Sequence, residues 1–540
     1  MFLRRVNYPW RHIIQTRGFS FTRICNGSKP TVPVDPTSCQ QHTHRVHTTT
    51  EPWDAVLNQT DISGNQNKNK FYIMQLLRSF ANPDSYALYT RWGRVGELGR
   101  SSLDNTSAAQ GERMFSKKFK SKTGVEWAER ETVTPQPGKY IWLDRHYEDD
   151  KAGSQAAVIP QSTLAPEVLT LCNFIFSKDL FDAHLASMNY NEAKIPLGKL
   201  GRSTISKGFS ALKSIADVID NPNGLTAQEH GGAEEAYATL SSTYYSIIPH
   251  VSGRSALPVI NDAAKLKQEL DLMDSLLDME VASKIMSGGG SGTDTNSHPV
   301  HPMDAKFTSL MLSHIAPVDP TGQEHAAIAA YTRDTELRAS TFALDVQTVF
   351  RVEREVETQA WTAAGHDQLH DDERLLLWHG SRSTNFAGIL KNGLRIAPPE
   401  APSSGYMFGR GVYFADMVSK SFNYCHSATS NDTGLLLLCE VAARPFFEQA
   451  YGNYNADVES FKAGKRSTKG LGRSAPAHWT DSGVALGNDA LRGCMMPGGP
   501  RRLRTNQPAL HHNEYIVYNL NQIRLRYVVM LKAIPKAYLT

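Results

Sequence analysis

The run SGGGSG at residues 287–292 limits what this chain can fold into more than any other feature. A run of this composition is flexible and continues neither a helix nor a strand, so it separates two folding units. Before the run the chain shows first a strand-like and then a helix-like period, and after it the pattern is mixed. The sequence therefore predicts a multidomain α+β protein.

The length of 540 residues suggests about three or four domains at roughly 150 residues each. The fractions of hydrophobic and charged residues, 40% and 21%, are ordinary for a globular protein. No apolar run approaches the roughly 18 residues that a membrane-spanning helix needs. We therefore expect no membrane partner.

The formal net charge of +3 is too small to bind nucleic acid over the whole surface, so any such site must be a local patch. The chain has six cysteines, and no two of them stand in a Cys-x-x-Cys spacing. The absence of that spacing excludes zinc sites built on Cys-x-x-Cys pairs. It also favours reduced thiols in an intracellular compartment. We expect no metal ion.

Residues 1–60 are basic and polar, and we expect them to form a disordered N-terminal arm. The first acidic residue is Asp35. The basic residues before it are Arg4, Arg5, Arg11, Arg17, Arg23 and Lys29. An Arg-rich segment without acids is also typical of a mitochondrial presequence, so both interpretations stay open.

Residues 61–150 show short apolar runs that are separated by turn residues. The runs FYIMQLL at 71–77 and YALY at 86–89 lie on either side of Asn82-Pro83-Asp84. Short apolar runs divided by turns are typical of antiparallel strands. We predict an antiparallel-sheet domain over this region.

Residues 162–287 change to a helical period. Ser162 and Thr163 look like a helix cap, and Pro166 suits the first helical turn. Two apolar stripes at helical spacing follow, the second on a helix over roughly 263–286. The stripes are Ile205, Phe209, Leu212, Ile215 and Ile219, and Leu266, Leu270, Met273, Leu277 and Val281. We predict an all-α domain, followed by a Gly/Ser linker at 288–299.

Residues 300–540 contain several apolar runs with few long helices between them. Residues 342–352 alternate as a half-buried strand, and further strands are expected at 375–378, 412–414, 435–438 and 515–518. Strands without intervening helices favour antiparallel pairing over a doubly wound parallel sheet. We predict a mixed α+β domain.

Three chemically suggestive residues stand at the ends of these strands: His379, Tyr413 and Glu514. The segments around them, at 375–390, 393–425 and 513–518, resemble the catalytic domain of the poly(ADP-ribose) polymerases. The resemblance extends over most of 301–540 and carries the three residues in the order of that family's His-Tyr-Glu triad. It implies an ADP-ribosyltransferase catalytic domain whose substrate is NAD+.

The resemblance gives Glu514 the central role in the reaction. Breaking the bond between nicotinamide and ribose passes through an oxocarbenium-like state, which a nearby carboxylate stabilises without a metal. Glu514 would bind a ribose hydroxyl, stabilise that positive charge and orient the acceptor hydroxyl. By the same resemblance Lys420 would face the active-site end.

The resemblance also implies a set of NAD-binding residues. Tyr413 and Tyr424 would stack on the nicotinamide ring. The Gly380 backbone and the Ser421 hydroxyl would hold its carboxamide. The remaining contacts are His379 and Ser381 to the ribose hydroxyls, Asn385 and Arg395 to the adenosine half, and Tyr406 and Met407 on the acceptor side.

The segment YTRWGRVG at 89–96 resembles the WGR module of the DNA-dependent members of this family. The match runs over about 62–150 and includes KKFK at 117–120. Basic residues beside aromatic residues suit a DNA end, because phosphates attract cations and an exposed base or sugar offers a stacking face. The candidate DNA-binding residues are Trp92, Arg94, Lys117, Lys118 and Lys120.

The helical block resembles the regulatory domain that covers the NAD site in the same enzymes, with PLGKLG at 196–201 and LLDMEVA at 276–282. Together the resemblances imply a nuclear poly(ADP-ribose) polymerase that DNA ends or nicks activate for DNA repair. Its acceptors would be proteins, with the chain itself as one candidate. A mono-ADP-ribosyltransferase, in mitochondria if the presequence is real, and a DNA-end scaffold with weak transferase activity remain open alternatives.

Overall fold

The computed structural model describes residues 32–133, 136, 138–146, 160–190, 199–288, 300–337, 340–403, 405–503 and 508–538. The basic N-terminal segment that suggested a presequence, and nearly all of the predicted Gly/Ser linker, lie outside these residues. The predicted multidomain α+β class is confirmed.

The N-terminal region is an antiparallel sheet with one helix packed on it. Its strands pair in the order β5-β4-β3-β2-β6, and β1 pairs with β3. Phe115 and Phe119 of the helix are buried against Leu57 and Leu88 of the sheet. The elements are β1 (His44–Val46), β2 (Asp54–Asp61), β3 (Lys68–Ser79), β4 (Tyr86–Arg94), β5 (Arg100–Thr106), α1 (Ala108–Thr123) and β6 (Ile141–Trp142).

The expectation of a disordered arm is wrong for residues 32–60, because β1 and β2 lie there. The sequence of β2 is polar, yet its polar groups are buried and have partners in another region. The Asn58 amide donates to the carbonyls of Tyr245 and Ser246 at 2.9 and 3.1 Å. Ser246 also accepts from the Thr60 amide at 2.7 Å. A polar composition therefore concealed a central strand.

The second region is helical, as predicted, and the helix expected at 263–286 is present as α7. Most of the two apolar stripes is buried in one core, which also contains Val56 and Ile73 of the first sheet. The stripe residues buried there are Ile205, Phe209, Leu212 and Ile215 of α4 and Leu266, Leu270 and Met273 of α7. The elements are β7 (Arg145–His146), α2 (Pro166–Ile175), α3 (Lys178–Ser187), β8 (Lys199–Leu200), α4 (Arg202–Asp220), α5 (Leu225–Glu229), α6 (Ala233–Ile247) and α7 (Ala263–Gly288).

The third region contains two sheets with short helices around them. All five of the strands expected in this region are present. The elements are α8 (Pro302–Thr308), β9 (His314–Pro317), α9 (Gln323–Asp334), β10 (Phe342–Glu353), α10 (Glu355–Ala363), β11 (Arg374–Gly380), α11 (Phe386–Asn392), β12 (Val412–Phe414), α12 (Val418–Phe422), β13 (Thr433–Ala442), β14 (Phe446–Gln449), α13 (Ala456–Lys462), β15 (Ser467–Gly470), β16 (Gly472–Asp481), α14 (Ser482–Leu486), β17 (Cys494–Leu503), β18 (Leu510–His512), β19 (Glu514–Val517) and β20 (Ile523–Pro535).

The two sheets of the third region are mainly antiparallel. One has the order β18-β16-β17-β11-β13-β20-β10-β9, and the other has the order β12-β19-β15-β14. Parallel pairs occur between β11 and β17, β14 and β15, and β16 and β18. A bridge between Trp378 and Ala415 joins the two sheets at the end of β11.

The predicted cap of the first helix is wrong. Ala165 is the N-cap residue of α2, and Pro166 begins the helix. The hydroxyls of Ser162 and Thr163, and the Thr163 amide, instead donate to the Asp304 carboxylate of α8. The Asp304 carboxylate, about 140 residues away in the sequence, therefore binds the side chains that were expected to cap α2. The sequence alone does not show this partner.

The sequence predicted reduced thiols and no membrane-spanning helix. Cys39, Cys172, Cys425, Cys439 and Cys494 are free. Within the described ranges, no helix combines the length and the apolar character that crossing a bilayer requires.

A buried ion pair holds the segment before β1 against the first sheet, and this pair gives a test of the fold. The Arg91 guanidinium donates to the Asp35 carboxylate at 2.9 Å, and both side chains are buried. We predict that Asp35→Ala lowers the free energy of unfolding by about 3 kcal/mol, because it leaves a buried cation without its charged partner. A urea titration measures the change.

The matched control is Asp61→Ala, which removes the partner of Lys68 at the surface of the same sheet. An exposed pair contributes less than about 1 kcal/mol. Equal losses in the two variants would contradict the structural importance of residues 32–35.

Candidate functional site

A cavity of about 450 Å³ lies between α7 and the third region. All of the candidate residues that the sequence placed in the third region line it. They are His379, Gly380, Ser381, Asn385, Arg395, Tyr406, Met407, Tyr413, Lys420, Ser421, Tyr424 and Glu514. Residues that are up to 135 positions apart in the sequence therefore line one cavity.

Strand pairing brings the three central residues of the cavity together. His379 is next to the last residue of β11, Tyr413 is in the middle of β12, and Glu514 begins β19. Strands β12 and β19 are antiparallel neighbours, with Tyr413 opposite Ile516. The bridge from Trp378 to Ala415 brings β11 beside them.

His379 has a defined tautomer. Its Nδ1 lies 2.9 Å from the Tyr413 carbonyl oxygen, which can only accept, so Nδ1 carries a proton. Burial lowers the pKa of His379, and the ring is therefore neutral at physiological pH. Its Nε2 consequently carries no proton and can accept a hydrogen bond.

Tyr413 presents its ring to the cavity, because its hydroxyl is held elsewhere. The hydroxyl donates to the Gly409 carbonyl at 2.8 Å and accepts from the Phe408 amide at 3.0 Å. Burial raises the pKa of this hydroxyl well above its usual value, so the ring remains uncharged. A fixed, uncharged aromatic face is suited to stacking.

Glu514 is buried, and its Oε1 forms an ion pair with Lys420. Among the described residues, its Oε2 has no hydrogen-bond partner. A buried carboxylate oxygen without a partner is costly to maintain unless a ligand satisfies it. The cavity therefore contains one oriented acceptor that is available to a substrate.

Gly380 permits a close approach between β11 and α12. A Cβ atom at this position would lie 1.8 Å from the Ser421 carbonyl oxygen. The Ser421 hydroxyl donates to the Trp378 carbonyl at 3.2 Å. The absence of a side chain at residue 380 leaves backbone groups accessible to a flat amide in the cavity.

Ser381, Asn385 and Arg395 also line the cavity. The Asn385 amide donates to the Ser381 hydroxyl at 2.9 Å. The Asn385 carbonyl oxygen is buried without a partner among the described residues. Arg395 forms an ion pair with Asp278 of α7.

Helix α7 supplies an acidic wall that the sequence analysis missed. Asp271, Asp274 and Asp278 line the cavity, together with Lys267, which pairs with Asp271. The Tyr406 hydroxyl donates to Asp274 at 3.3 Å. Burial raises the pKa of Asp274 to about 6.

Spacing in the sequence could have revealed this wall. Residues 271, 274 and 278 recur at helical spacing and therefore lie on one face of α7. Only the apolar stripe of the same helix entered the prediction. The two faces together indicate a helix that packs on a core with one side and faces a polar site with the other.

A second helix of the helical region also contacts the cavity wall. His184 Nδ1 of α3 lies 3.0 Å from the Thr384 hydroxyl, and Arg382 donates to the Ser187 hydroxyl at 3.2 Å. Burial lowers the pKa of His184 to about 3, so its ring is neutral. These contacts hold α3 against the segment that contains Ser381.

The first sheet has its own small cavity, of about 250 Å³, at Trp92. The indole ring of Trp92 stacks on Tyr72 with ring centroids 6.0 Å apart. Lys118 and Lys122 line the same cavity, one helical turn apart on α1. Burial, and then the positive charges of neighbouring lysines, lower the pKa of Lys122.

We name this surface the Trp92 patch; it consists of Tyr72, Thr90, Trp92, Ser102, Lys118 and Lys122. Of the candidate DNA-binding residues, Trp92 and Lys118 lie in it. Lys117 is exposed on α1 outside the patch, and Lys120 forms an ion pair with Glu126. Lys122 was missed because it stands outside the KKFK run, although its spacing from Lys118 is one helical turn.

Arg94 points toward the helical region. Its guanidinium donates to the carbonyls of Gly253 and Ser255, in the segment between α6 and α7. The same guanidinium donates to the Asn67 side chain at 2.7 Å. Arg94 therefore links the first sheet to the helices.

A second connection reaches α7 itself. The Asn69 amide of β3 donates to the His250 carbonyl at 2.8 Å. The His250 ring lies 3.1 Å from the Glu269 carboxylate of α7. Burial acts to lower the pKa of His250, but the charge and hydrogen bond of Glu269 outweigh it, and the net shift is upward.

Across the described part of the chain, no three His, Cys, Asp or Glu side chains are grouped as a metal site would require. The cavity instead offers hydrogen-bonding groups, aromatic faces and paired charges.

Three family models match the chain in the order of its three regions. The WGR domain matches residues 53–134, and the regulatory domain of poly(ADP-ribose) polymerase matches residues 162–307. The poly(ADP-ribose) polymerase catalytic domain matches residues 322–533.

Curated relatives align over most of the chain. Poly [ADP-ribose] polymerase 2 of Arabidopsis thaliana is 38% identical over 501 residues, which cover 89% of this chain and 73% of the relative. Poly [ADP-ribose] polymerase 2 of Homo sapiens is 37% identical over 524 residues, covering 93% and 84%. Poly [ADP-ribose] polymerase 1 of Gallus gallus is 35% identical over 475 residues, covering 86% and 44%. With all three regions matched in order and with this identity over nearly its whole length, the chain belongs to the poly(ADP-ribose) polymerase family.

Proposed function

We propose that this chain is an NAD+-dependent poly(ADP-ribose) polymerase that DNA breaks activate. It transfers ADP-ribose from NAD+ to acceptor proteins, with the chain itself as one candidate, and releases nicotinamide. The observation that supports this proposal most directly is the meeting of His379, Tyr413 and Glu514 in one cavity. The activity belongs to the DNA damage response, and its compartment is the nucleus.

The nicotinamide ring stacks between Tyr413 and Tyr424, and the Gly380 backbone with the Ser421 hydroxyl holds its carboxamide. As the bond from ribose C1″ to the ring nitrogen breaks, its electron pair moves to the nitrogen, and nicotinamide leaves as a neutral molecule. Positive charge develops on the ribose. The acceptor oxygen or other nucleophile then bonds to C1″ and loses a proton.

His379 and Glu514 orient the ribose for this step. The neutral His379 accepts from a ribose hydroxyl through Nε2, because its Nδ1 proton is committed to the Tyr413 carbonyl. The unpartnered Glu514 Oε2 accepts from a neighbouring ribose hydroxyl and stabilises the oxocarbenium charge. Lys420 fixes the other Glu514 oxygen, which limits the rotation of the carboxylate.

Chain elongation uses the acceptor side of the cavity. Tyr406 and Met407 lie at this side, and the Met407 side chain is partly exposed there. Glu514 serves both steps, because it orients either a protein nucleophile or the ribose hydroxyl of a growing chain. Mono-ADP-ribosylation would appear as single units on the acceptor in the assay below.

Helix α7 gates the cavity in this proposal. Asp278 of this helix forms an ion pair with Arg395, whose guanidinium would otherwise bind the adenosine half of NAD+. Asp274 accepts a hydrogen bond from the Tyr406 hydroxyl. NAD+ binds only after these contacts are released, so the closed population reduces its apparent affinity.

DNA acts on this gate through the first sheet. A DNA end docks on the Trp92 patch, where an indole face and lysines adjoin. Two sets of contacts transmit the effect of DNA docking from the first sheet to the helices. Arg94 contacts residues 253 and 255. Asn69 contacts His250, which in turn contacts Glu269 of α7. The helices then open locally.

The first prediction tests the transferase chemistry. Glu514→Gln should reduce polymer formation by about 100-fold or more, because the amide preserves shape and removes the charge that stabilises the oxocarbenium state. The KM for NAD+ should change by less than about threefold, since the nicotinamide contacts remain. The assay uses full-length protein, labelled NAD+ and duplex DNA with free ends.

Glu459→Gln is the control, because Glu459 is an exposed carboxylate on α13 away from the cavity. It should behave like the unchanged chain. Normal polymer length and rate in Glu514→Gln would refute the role assigned to Glu514.

The second prediction tests the DNA surface. Lys122→Ala should weaken binding to a DNA end and lower the slope of log Kd against log salt by about 0.9, the value for one lost phosphate contact. Fluorescence anisotropy at several salt concentrations measures both quantities. DNA-stimulated NAD+ turnover should fall while basal turnover is unchanged.

Lys120→Ala is the matched control, since it removes the same side chain from the same helix but from an ion pair with Glu126. Its salt slope should change by less than half as much. A larger effect of Lys120→Ala would place the DNA contact on the other face of α1.

The third prediction concerns the pH dependence of the gate. The pKa of Asp274 is raised in the folded chain, so the folded state binds the proton more tightly than the unfolded state. Stability therefore falls as pH rises from 3.8 to about 6, and the deficit is complete above that range. Asp274→Asn should remove this deficit and stabilise the chain at pH 7.5 by on the order of 1 kcal/mol.

Thermal melts at pH 5 and pH 7.5 test this expectation, with Asp220→Asn on the exposed side of α4 as the control. The gain from Asp274→Asn should be larger at pH 7.5, and DNA-independent turnover should fall because the closed helix is more stable. Equal gains at both pH values would show that the Asp274 charge does not oppose closure.

A further inference from the structure

Asp416 is a fully buried carboxylate two residues after β12. Its Oδ2 accepts two hydrogen bonds, from the Asn513 amide at 2.6 Å and from the Tyr515 hydroxyl at 2.9 Å. These two donors are the residues immediately before and after Glu514. One oxygen atom therefore holds both neighbours of the cavity carboxylate.

The carboxylate does not stabilise the fold in the usual way. Asp416 is 0% exposed, and within the described residues its Oδ1 has no hydrogen-bond partner. Burial raises the pKa of Asp416 to about 6, which records the free-energy cost of keeping the charged form there. A well-packed apolar side chain would avoid this cost, so the role of Asp416 lies in what its Oδ2 fixes.

The backbone around Glu514 is restrained from both sides. In the antiparallel pairing of β12 with β19, Phe414 lies opposite Tyr515, so residue 416 is beside residue 513. The side-chain Oδ1 of Asn513 also accepts from the Gly472 backbone amide at 2.9 Å. Asn513 thus connects Asp416 with β16.

Glu514 itself has few side-chain restraints. Its Oε1 pairs with Lys420, and its Oε2 has no partner among the described residues. The direction of the side chain must therefore be set largely by the backbone at residues 513–515. A displacement of about 1 Å at a reacting group can reduce a rate by about 100-fold.

We infer that Asp416 is a positioning residue for the transferase reaction: through Asn513 and Tyr515 it fixes the backbone of Glu514 relative to Tyr413. The inference rests on the proposed function. Asp416 does not line the cavity, so it acts on the reaction through its neighbours. Its removal should impair the chemical step more than NAD+ binding.

The choice of substitutions separates hydrogen bonding from charge. In Asp416→Asn, the amide oxygen can occupy the Oδ2 position and accept from both donors, while the amide nitrogen occupies the Oδ1 position. In Asp416→Ala, both buried donors lose their acceptor. A positioning role that depends on these hydrogen bonds predicts rescue by asparagine and not by alanine.

The experiment uses full-length protein with saturating DNA ends and measures kcat and KM for NAD+. Asp416→Ala should lower kcat by about tenfold or more with KM changed by less than about twofold, because positioning is lost and the binding surface is retained. Asp416→Asn should retain kcat within about threefold, because both hydrogen bonds are preserved. Equal losses in the two variants would overturn the inference.

Tyr515→Phe guards against unfolding of the alanine variant, since it removes only one of the two donors. It should lower kcat severalfold without changing KM. Its matched control is Tyr527→Phe, which removes a buried hydroxyl that donates to Glu324 at 2.6 Å in the same region. A kcat for Tyr515→Phe no lower than that of Tyr527→Phe would contradict the positioning role.

Hydrogen exchange gives a measurement that does not require transferase activity. Amide exchange at residues 514–517 should be faster in Asp416→Ala than in the unchanged chain and in Asp416→Asn. If the unchanged chain did not consume NAD+, the proposed function would fail, and exchange would still decide the role of Asp416. Unaltered exchange at these residues in Asp416→Ala would overturn the inference.

Discussion

The paired backbone hydrogen bonds between Trp378 and Ala415 are the interaction on which the cavity depends. Each residue donates to the other at 2.9 Å, and this bridge joins the two sheets of the catalytic region. It places His379 close enough for its ring to donate to the Tyr413 carbonyl. The next residue, Asp416, then reaches the strand of Glu514. The adjacent residues Ala415 and Asp416 thus connect β12 with β11 and with β19, the strands that carry His379 and Glu514.

The cavity also depends on how closely α7 approaches the catalytic region. A Cβ atom at Gly388 would lie 2.9 Å from the Asp278 carbonyl oxygen, and one at Gly405 would lie 2.0 Å from Leu270. The two glycines therefore permit contacts that a larger residue would prevent. This proximity lets the acids of α7 reach Arg395 and Tyr406. Residues of α7 thereby become part of the cavity wall.

The sequence placed its candidate residues of the third region in segments that meet at one cavity, because these residues stand in long continuous motifs at strand ends, where local pattern and family resemblance agree. It failed where partners are distant in sequence. The polar strand β2 looked like a disordered arm because Asn58 and Thr60 bind residues 245 and 246, and Ser162 looked like a cap because Asp304 was not visible as its partner. The acidic face of α7 was missed because only its apolar stripe was considered.

Helix α7 is divided between two hydrophobic cores, and this division suits the gating role that we propose for it. The apolar residues of its first two thirds, from Leu266 to Met279, pack in one core with Val56 and Ile73 of the first sheet. Its last turns, at Ala282 and Ile285, are buried in the core of the catalytic region. The cavity-facing acids Asp271, Asp274 and Asp278 lie in this first part of the helix and make polar contacts, which water can replace at lower cost than it can fill an apolar core. A shift of the first sheet relative to the catalytic region therefore acts on residues 271–278 before it disturbs either core.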